Sequence, residues 1–211
     1  MVKLKNIFVG FLVSFIGSIP LGYLNVVGFD IYAQKGMQST IWYLLGVICI
    51  EFIVIFFTLI FAKKLAENVK LTKFIEGFSV LFMIVLSAVF YFSANSVSSN
   101  RTVFSNVSQN YFFVGLFFSG LNFVQIPFWT GWNLYLLNGS YIEVSKSRKY
   151  FYVLGTIAGT FSGMLMLILS LNYFASNVDF LSKYLMKFII PTVFLGLGIF
   201  QGYKFYRKYF H

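Results

Sequence analysis

A chain of 211 residues in which 59% are apolar or aromatic, 22% aromatic alone and only 10% charged, with a mean hydropathy of +0.81, is too apolar for a water-soluble domain. The net charge of +10 does not mark a nucleic-acid binder, because the basic residues fall between apolar runs and not along one face. Cys49 is the sole cysteine and His211 the sole histidine, which excludes an internal disulfide framework, a CxxC redox pair and a Cys/His metal cluster.

A helix crossing a bilayer needs roughly 20 apolar residues. Six stretches meet that length, at about 7–29, 39–62, 74–93, 111–137, 150–174 and 185–204. They predict an all-α membrane protein of six transmembrane helices in a single domain over 1–211, with helices one and four broken. Lys3 and Lys5 before the first run imitate a secretory signal, but the run continues past Pro20 without a small-x-small cleavage site, so it reads as a retained helix.

Counting Lys and Arg on alternate sides gives orientation, since short cytoplasmic loops carry the positive excess. Twelve fall on one side (Lys3, Lys5, Lys63, Lys64, Lys70, Lys73, Lys146, Arg148, Lys149, Lys204, Arg207, Lys208) and four on the other (Lys35, Arg101, Lys183, Lys187). Both termini are therefore expected in the cytoplasm, with the chain in the plasma membrane, the inner membrane of a bacterium. An even number of spans fits.

A polar outer loop, 94–110, divides the chain into halves of about 1–93 and 111–211. Gly10, Pro20 and Gly46 in the first half, spaced 10 and 26, are echoed by Gly115, Pro127 and Gly155 in the second, spaced 12 and 28. Each half would hold three spans, an odd number, so the second copy enters from the opposite side: two inverted three-helix repeats, as in many transporters. Gly and Pro are also common in membrane helices for packing reasons alone.

In span one, Gly17, Pro20 and Gly22 precede Asn25 within an apolar run. Pro lacks an amide hydrogen and clashes with the preceding turn, so a break is expected, tolerable in a bilayer where it lines a cavity or is buried in protein. A half-helix starting there would aim its positive dipole end at an anionic group near the midplane. Span four matches it with Asn122, Gln125 and Pro127, two amides three apart that share a face on a helix and serve equally as ligand contacts or as interhelical glue.

Glu51 sits mid-span, between Gly46 and an Ile/Phe-rich stretch. A carboxylate at the bilayer centre costs roughly 2.5 to 3.5 kcal/mol on insertion scales, so it should face the bundle interior with a partner or stay neutral. A group poised between the two states suits ion coupling. Asp30, followed by Lys35, reads as an interfacial anchor or local ion pair. Gly155, Gly159 and Gly163 form a small-xxx-small face for helix packing.

The Pro20-Leu21-Gly22 turn, the Asn122…Pro127-Phe128-Trp129 stretch, and Gly36 and Gly46 behind the first turn resemble the lysine-exporter (LysE/RhtB-type) amino-acid efflux family over most of the chain. Leu21, Gly22 and Phe123 depart from that pattern, at positions that bear on substrate more than on fold. The resemblance implies ion-coupled export of small amino acids or related metabolites, with the first turn in contact with the substrate; the two breaks then put Pro20, Gly22, Asn25, Asn122, Gln125 and Pro127 around that substrate, and the mid-span place of Glu51 suits coupling to a proton or sodium ion. No cofactor or resident metal is implied; the partners are a small molecule and the lipid bilayer, not nucleic acid, with a homo-oligomer left open. Two alternatives stand beside it: a cation or metal-ion exporter of similar fold, short of oxygen ligands, and a non-transporting scaffold or assembly protein using the Gly155/Gly159/Gly163 face. An enzyme is not expected, for want of a His, an acid cluster or a Ser-His pair in the spans.

Overall fold

The computed structural model describes residues 2–19, 22–95, 110–145, 147–177 and 188–210. Pro20, the 94–110 connection beyond Asn95 and before Asn110, and the basic residues Arg101, Lys146, Lys183 and Lys187 lie outside the described residues. Among those described the chain is helical, without a strand: α1 (Val2–Ser18), α2 (Tyr23–Glu67), α3 (Val69–Asn95), α4 (Tyr111–Gly120), α5 (Gln125–Asn138), α6 (Arg148–Asn177) and α7 (Ile190–Phe210).

Two stretches are long and apolar enough to cross a membrane, Tyr23–Ala62 and Arg148–Ala175, and the α4–α5 pair, bent by 72°, is a third if it is one broken span. Among the described residues length and composition thus show two or three crossings and do not by themselves confirm six; α1 has only 17 residues and α2 runs as one helix of 45. That long helix nevertheless folds back on itself. Its one non-helical residue is Gly36, at φ 74° and ψ −171°, a region that essentially only glycine adopts. The Tyr43 hydroxyl donates to the Leu24 carbonyl at 2.9 Å, whereas 19 residues of straight helix would hold them roughly 28 Å apart at 1.5 Å per residue. Thus α2 is two antiparallel arms, 23–35 and 37–67, turned on a single glycine.

Each extensive helix pairing among the described residues joins the first half of the chain to the second: α1 with α6, α2 with α4, α5 and α6, and α3 with α7. Glycine makes two of these seams. On α1–α6, a Cβ at Gly10 would strike the Tyr152 carbonyl, and Cβ atoms at Gly155, Gly159 and Gly163 would strike the carbonyls of Ile7, Phe11 and Phe15. On α2–α4, Gly46 presses on the Phe112 carbonyl and Gly115 on that of Tyr43. Backbones approach this closely only where side chains are missing. The glycine face of α6 is therefore filled by α1 of the same chain and is not open to an external partner, which corrects the use expected of it in a scaffold.

Among the described residues two apolar clusters pack the bundle. One gathers Val27, Ile31, Tyr43, Val47, Val114 and Ile168; the other Ile55, Leu59, Trp129, Leu136, Tyr152 and Val153. Outside, large apolar side chains such as Phe8, Ile53, Phe57, Phe117, Leu154 and Ile199 stand exposed, a surface suited to lipid and not to water. The α3–α7 pair is tied by Lys208 Nζ to Glu76 Oε1 at 2.6 Å and by Ser87 Oγ donating to the Pro191 carbonyl at 2.8 Å.

Asp30 departs from its expected place. It is 6% exposed, with Phe29 and Ile31 beside it also buried, and it forms no ion pair with Lys35; Gln34 is its hydrogen-bond neighbour. The first arm of α2 is enclosed on all faces from Asn25 to Ile31, because the hairpin at Gly36 carries it inward.

Candidate functional site

Both breaks that the sequence suggests are present, the second of them displaced from its proline. The first falls between the end of α1 at Ser18 and the start of α2 at Tyr23, and the second between Gly120 and Gln125. Pro127 lies downstream of its break, as the third residue of α5, where an amide hydrogen would lack an intrahelical acceptor in any case. Asn122 and Gln125 consequently do not share one helix face: Asn122 is in the break and Gln125 opens α5.

A helix that stops in the middle of a bundle leaves carbonyls without partners. Here turn amides meet some of them, Asn122 on the Ser119 carbonyl and Leu121 on that of Phe118, and side chains from the opposite edge of each break add to these. Asn25 Nδ2 donates to the Ser18 carbonyl at 3.1 Å, and Gln125 Nε2 to the Ser119 carbonyl at 3.0 Å. The Tyr23 hydroxyl reaches across and donates to the Phe118 carbonyl at 2.6 Å, so one break helps to close the other.

Between the breaks is a cavity of about 220 Å³. Gly22, Asn25, Glu51, Asn122 and Gln125, anticipated from the sequence, all line it. Pro127 does not, and Pro20 falls outside the described residues. Gly155 and Gly159 lie on the α1–α6 seam, while Ser18, Tyr23, Trp129, Thr160 and Met164 complete much of the wall.

Among the described residues Glu51 is the one acidic or basic side chain in that wall. The Trp129 indole Nε1 donates to its Oε1 at 3.4 Å, the Thr160 hydroxyl stands in hydrogen-bonding reach of the carboxylate, and Oε2 is enclosed without a partner. Thr160 is in turn hydrogen-bonded to Ser14, so Ser14, Thr160, Glu51 and Trp129 form a polar line across α1, α6, α2 and α5. Three acidic, His or Cys side chains gather nowhere among the described residues.

A second polar cluster lies beside the cavity. Asn133 Nδ2 donates to Thr58 Oγ1 at 3.1 Å and the Tyr152 hydroxyl donates to Asn133 Oδ1 at 2.8 Å, all three residues being buried. The sequence alone gives no sign of this cluster and presents Thr160 only as part of the small-residue packing face of span five. For Thr160 a signal exists: it stands five residues beyond Gly155, as Glu51 stands five beyond Gly46.

No protein-family model, no curated protein and no solved structure matches this chain. Geometry and chemistry alone bear on its function.

Proposed function

We propose that the chain is a secondary transporter that exports small amino acids or related metabolites in exchange for an inward-moving ion. The observation that carries this reading is the meeting of two broken helices and one buried carboxylate, Glu51, in a single central cavity. Irregular backbone and an ionisable group at membrane depth are costly, and a substrate pathway is a common reason for both.

In this reading the crossings number six: α1 with the first arm of α2, the second arm of α2, α3, α4 with α5, α6, and α7. They form two inverted repeats with both termini cytoplasmic, the arrangement that the lysine-exporter resemblance implies. The glycine seams support the repeat, because Gly10 and Gly115 do for their helices what Gly155 and Gly46 do for the partners. Tyr43 and Tyr152, each three residues before a seam glycine, both spend their hydroxyls inside the bundle.

The moving bodies differ from those a simple division into halves would give. The halves interlock, so alternating access takes place between the α1–α6 pair and the α2–α4 pair, each clamped by glycine, with the cavity between them. Ser18 and Thr160 lie on one body and Glu51 on the other. The α2 start turns its positive dipole end toward the substrate.

The test is efflux from cells or proteoliposomes holding an amino-acid mixture, with wild type, Glu51→Gln and vector alone at equal membrane expression. Wild type should move at least one amino acid outward faster than the vector control, and Glu51→Gln should lose gradient-driven export while still inserting and folding. Gradient-driven export by Glu51→Gln at the wild-type rate would remove Glu51 from the mechanism.

A further inference from the structure

We propose that Glu51 is one seat shared in turn by the coupling proton and by the ammonium group of a zwitterionic substrate, so that each excludes the other from the cavity. This rests on the exporter reading and deepens it by naming the ion, the substrate class and the cause of coupling.

The argument starts from the scarcity of charge. A charged ligand taken out of water needs an opposite charge or several hydrogen bonds. Among the described residues the cavity wall has one acidic side chain, Glu51, and no Lys, Arg or His. Around it α1 presents Gly17 and Ser18, the first arm of α2 presents Tyr23 and Asn25, α5 presents Gln125 and Trp129, and α6 presents Thr160 and Met164. Of these only Tyr23 titrates, and its hydroxyl is engaged with the Phe118 carbonyl. Asp30 is not part of the wall.

The geometry at Glu51 narrows the choice further. Oε1 faces Trp129 Nε1, and Oε2 is the enclosed acceptor without a partner. A proton on Oε2 turns that acceptor into a donor and cancels the charge, and an ammonium group then has nothing to pair with. An ammonium group on Oε2 occupies the same lone pairs and holds the carboxylate ionised. The opposite end of the ligand meets the start of α2, whose positive dipole end favours a carboxylate; at α5 the Gln125 and Ile126 amides are already held by the Asn122 and Phe123 carbonyls and Pro127 has none. A cavity of about 220 Å³ is smaller than the roughly 300–1,000 Å³ of drug-sized sites, which selects a short side chain.

One cycle is balanced as follows. A zwitterion of no net charge leaves Glu51 ionised and exits outward; a proton from outside then neutralises the carboxylate, allows the empty transporter to return, and departs to the cytoplasm when the next ammonium group arrives. One positive charge moves inward per molecule exported.

The test uses purified full-length protein in detergent and a panel of L-amino acids with uncharged side chains, beside the N-acetyl and amide derivatives of each binder. Binding heat and proton release are measured in weak buffer across pH. Binding of at least one amino acid should release about one proton per molecule at acidic pH, and its affinity should fall about tenfold per pH unit on acidification, as one shared proton requires. The N-acetyl derivative, which lacks the ammonium group, should not bind; the amide, which lacks the carboxylate, should bind more weakly. Glu51→Asp should keep the proton release, and Glu51→Gln should lose it at an unchanged melting profile. Binding without proton release, equal binding of the N-acetyl form, or no binding by any panel member overturns the shared seat. Efflux from proteoliposomes is scored separately: amino-acid export with pH-independent binding sinks this inference and leaves the exporter standing, whereas absence of export sinks both.

Discussion

Glu51 and Thr160 occupy the same step of two helices, each five residues past a seam glycine, and they meet in the cavity wall. Two copies of an inverted repeat would bring corresponding positions together near their symmetry axis. In the inverted-repeat reading proposed above, that symmetry is broken here, with an acid from one half and a hydroxyl from the other. A single carboxylate in the cavity avoids the repulsion that a symmetric pair of acids would create.

Thr160→Val tests that pairing. The substitution removes a hydroxyl that Ser14 and Glu51 both approach, and interhelical hydrogen bonds in membranes contribute about 0.6 kcal/mol on average and up to about 1.7. The expected outcome is a melting point lowered by a few degrees and a larger fall in export rate, with Thr160→Ser restoring both. The exchanged variant, Glu51→Thr with Thr160→Glu, keeps one carboxylate in the cavity and should export where Glu51→Thr alone does not.

The glycine seams make a graded prediction with an internal control. An added methyl at Gly46 or Gly115 meets backbone atoms of the facing helix, and at Gly155 it meets the Ile7 backbone. Overpacking of this kind costs about 1–3 kcal/mol, so alanine at each of these positions should lower the melting point in detergent. At Gly131 and Gly196 nothing stands within 4 Å of an added Cβ, and alanine there should be neutral or slightly stabilising, since glycine in a helix interior is worth roughly 0.5–1 kcal/mol less than alanine. Equal losses at all five sites would mean that close approach is not what the glycines provide.

Asn25 is read from sequence as a ligand contact and Gln125 as a ligand contact or glue, and the geometry gives their donors to the backbone carbonyls of Ser18 and Ser119. Replacing Asn25 by Leu strands the Ser18 carbonyl, at a cost of about 1–3 kcal/mol; Gln125→Leu removes one of two donors from the Ser119 carbonyl, which keeps the Asn122 amide at 3.0 Å, and should cost less. Gln125→Glu should do similar damage, because an ionised carboxylate accepts and cannot donate. Thermal unfolding of the membrane-extracted protein measures this directly. If Gln125→Leu unfolds as wild type does and loses only substrate affinity, the amide serves the ligand and not the break.

What the sequence discloses here is composition and interruption. Apolar runs of about 20 residues are read without knowing any neighbour, which is why the helices fall close to the expected stretches. The breaks are also legible, but not their exact positions: proline is satisfied in the first turn after a break as well as inside one, and Pro127 takes the former place. Partner choice is not legible. A glycine face announces that some helix will approach it, and nothing in residues 155–163 names α1 as that helix. Asp30 reads as an anchor because Lys35 is near in sequence, whereas the hairpin at Gly36 folds its arm into the interior. Thr160 is hidden for a different reason, since a hydroxyl beside glycines looks like packing until its counterpart Glu51 is set opposite.

The interlocking of the halves can be tested by fixing one seam covalently. Ser14 on α1 and Thr160 on α6 have hydroxyls in contact, so cysteines at these two positions, with Cys49→Ser removing the native thiol, are placed to form a disulfide. The bond joins residue 14 of the first half to residue 160 of the second, yet both belong to the same glycine-clamped body. If the α1–α6 pair moves as a unit, the oxidised protein should export at the rate of its own reduced form, the comparison that absorbs any effect of losing Thr160. If instead the first half swings against the second, oxidation should stop export and reduction should restore it. Gel mobility with and without reductant reports the extent of bridging, and efflux from the same proteoliposomes reports the consequence.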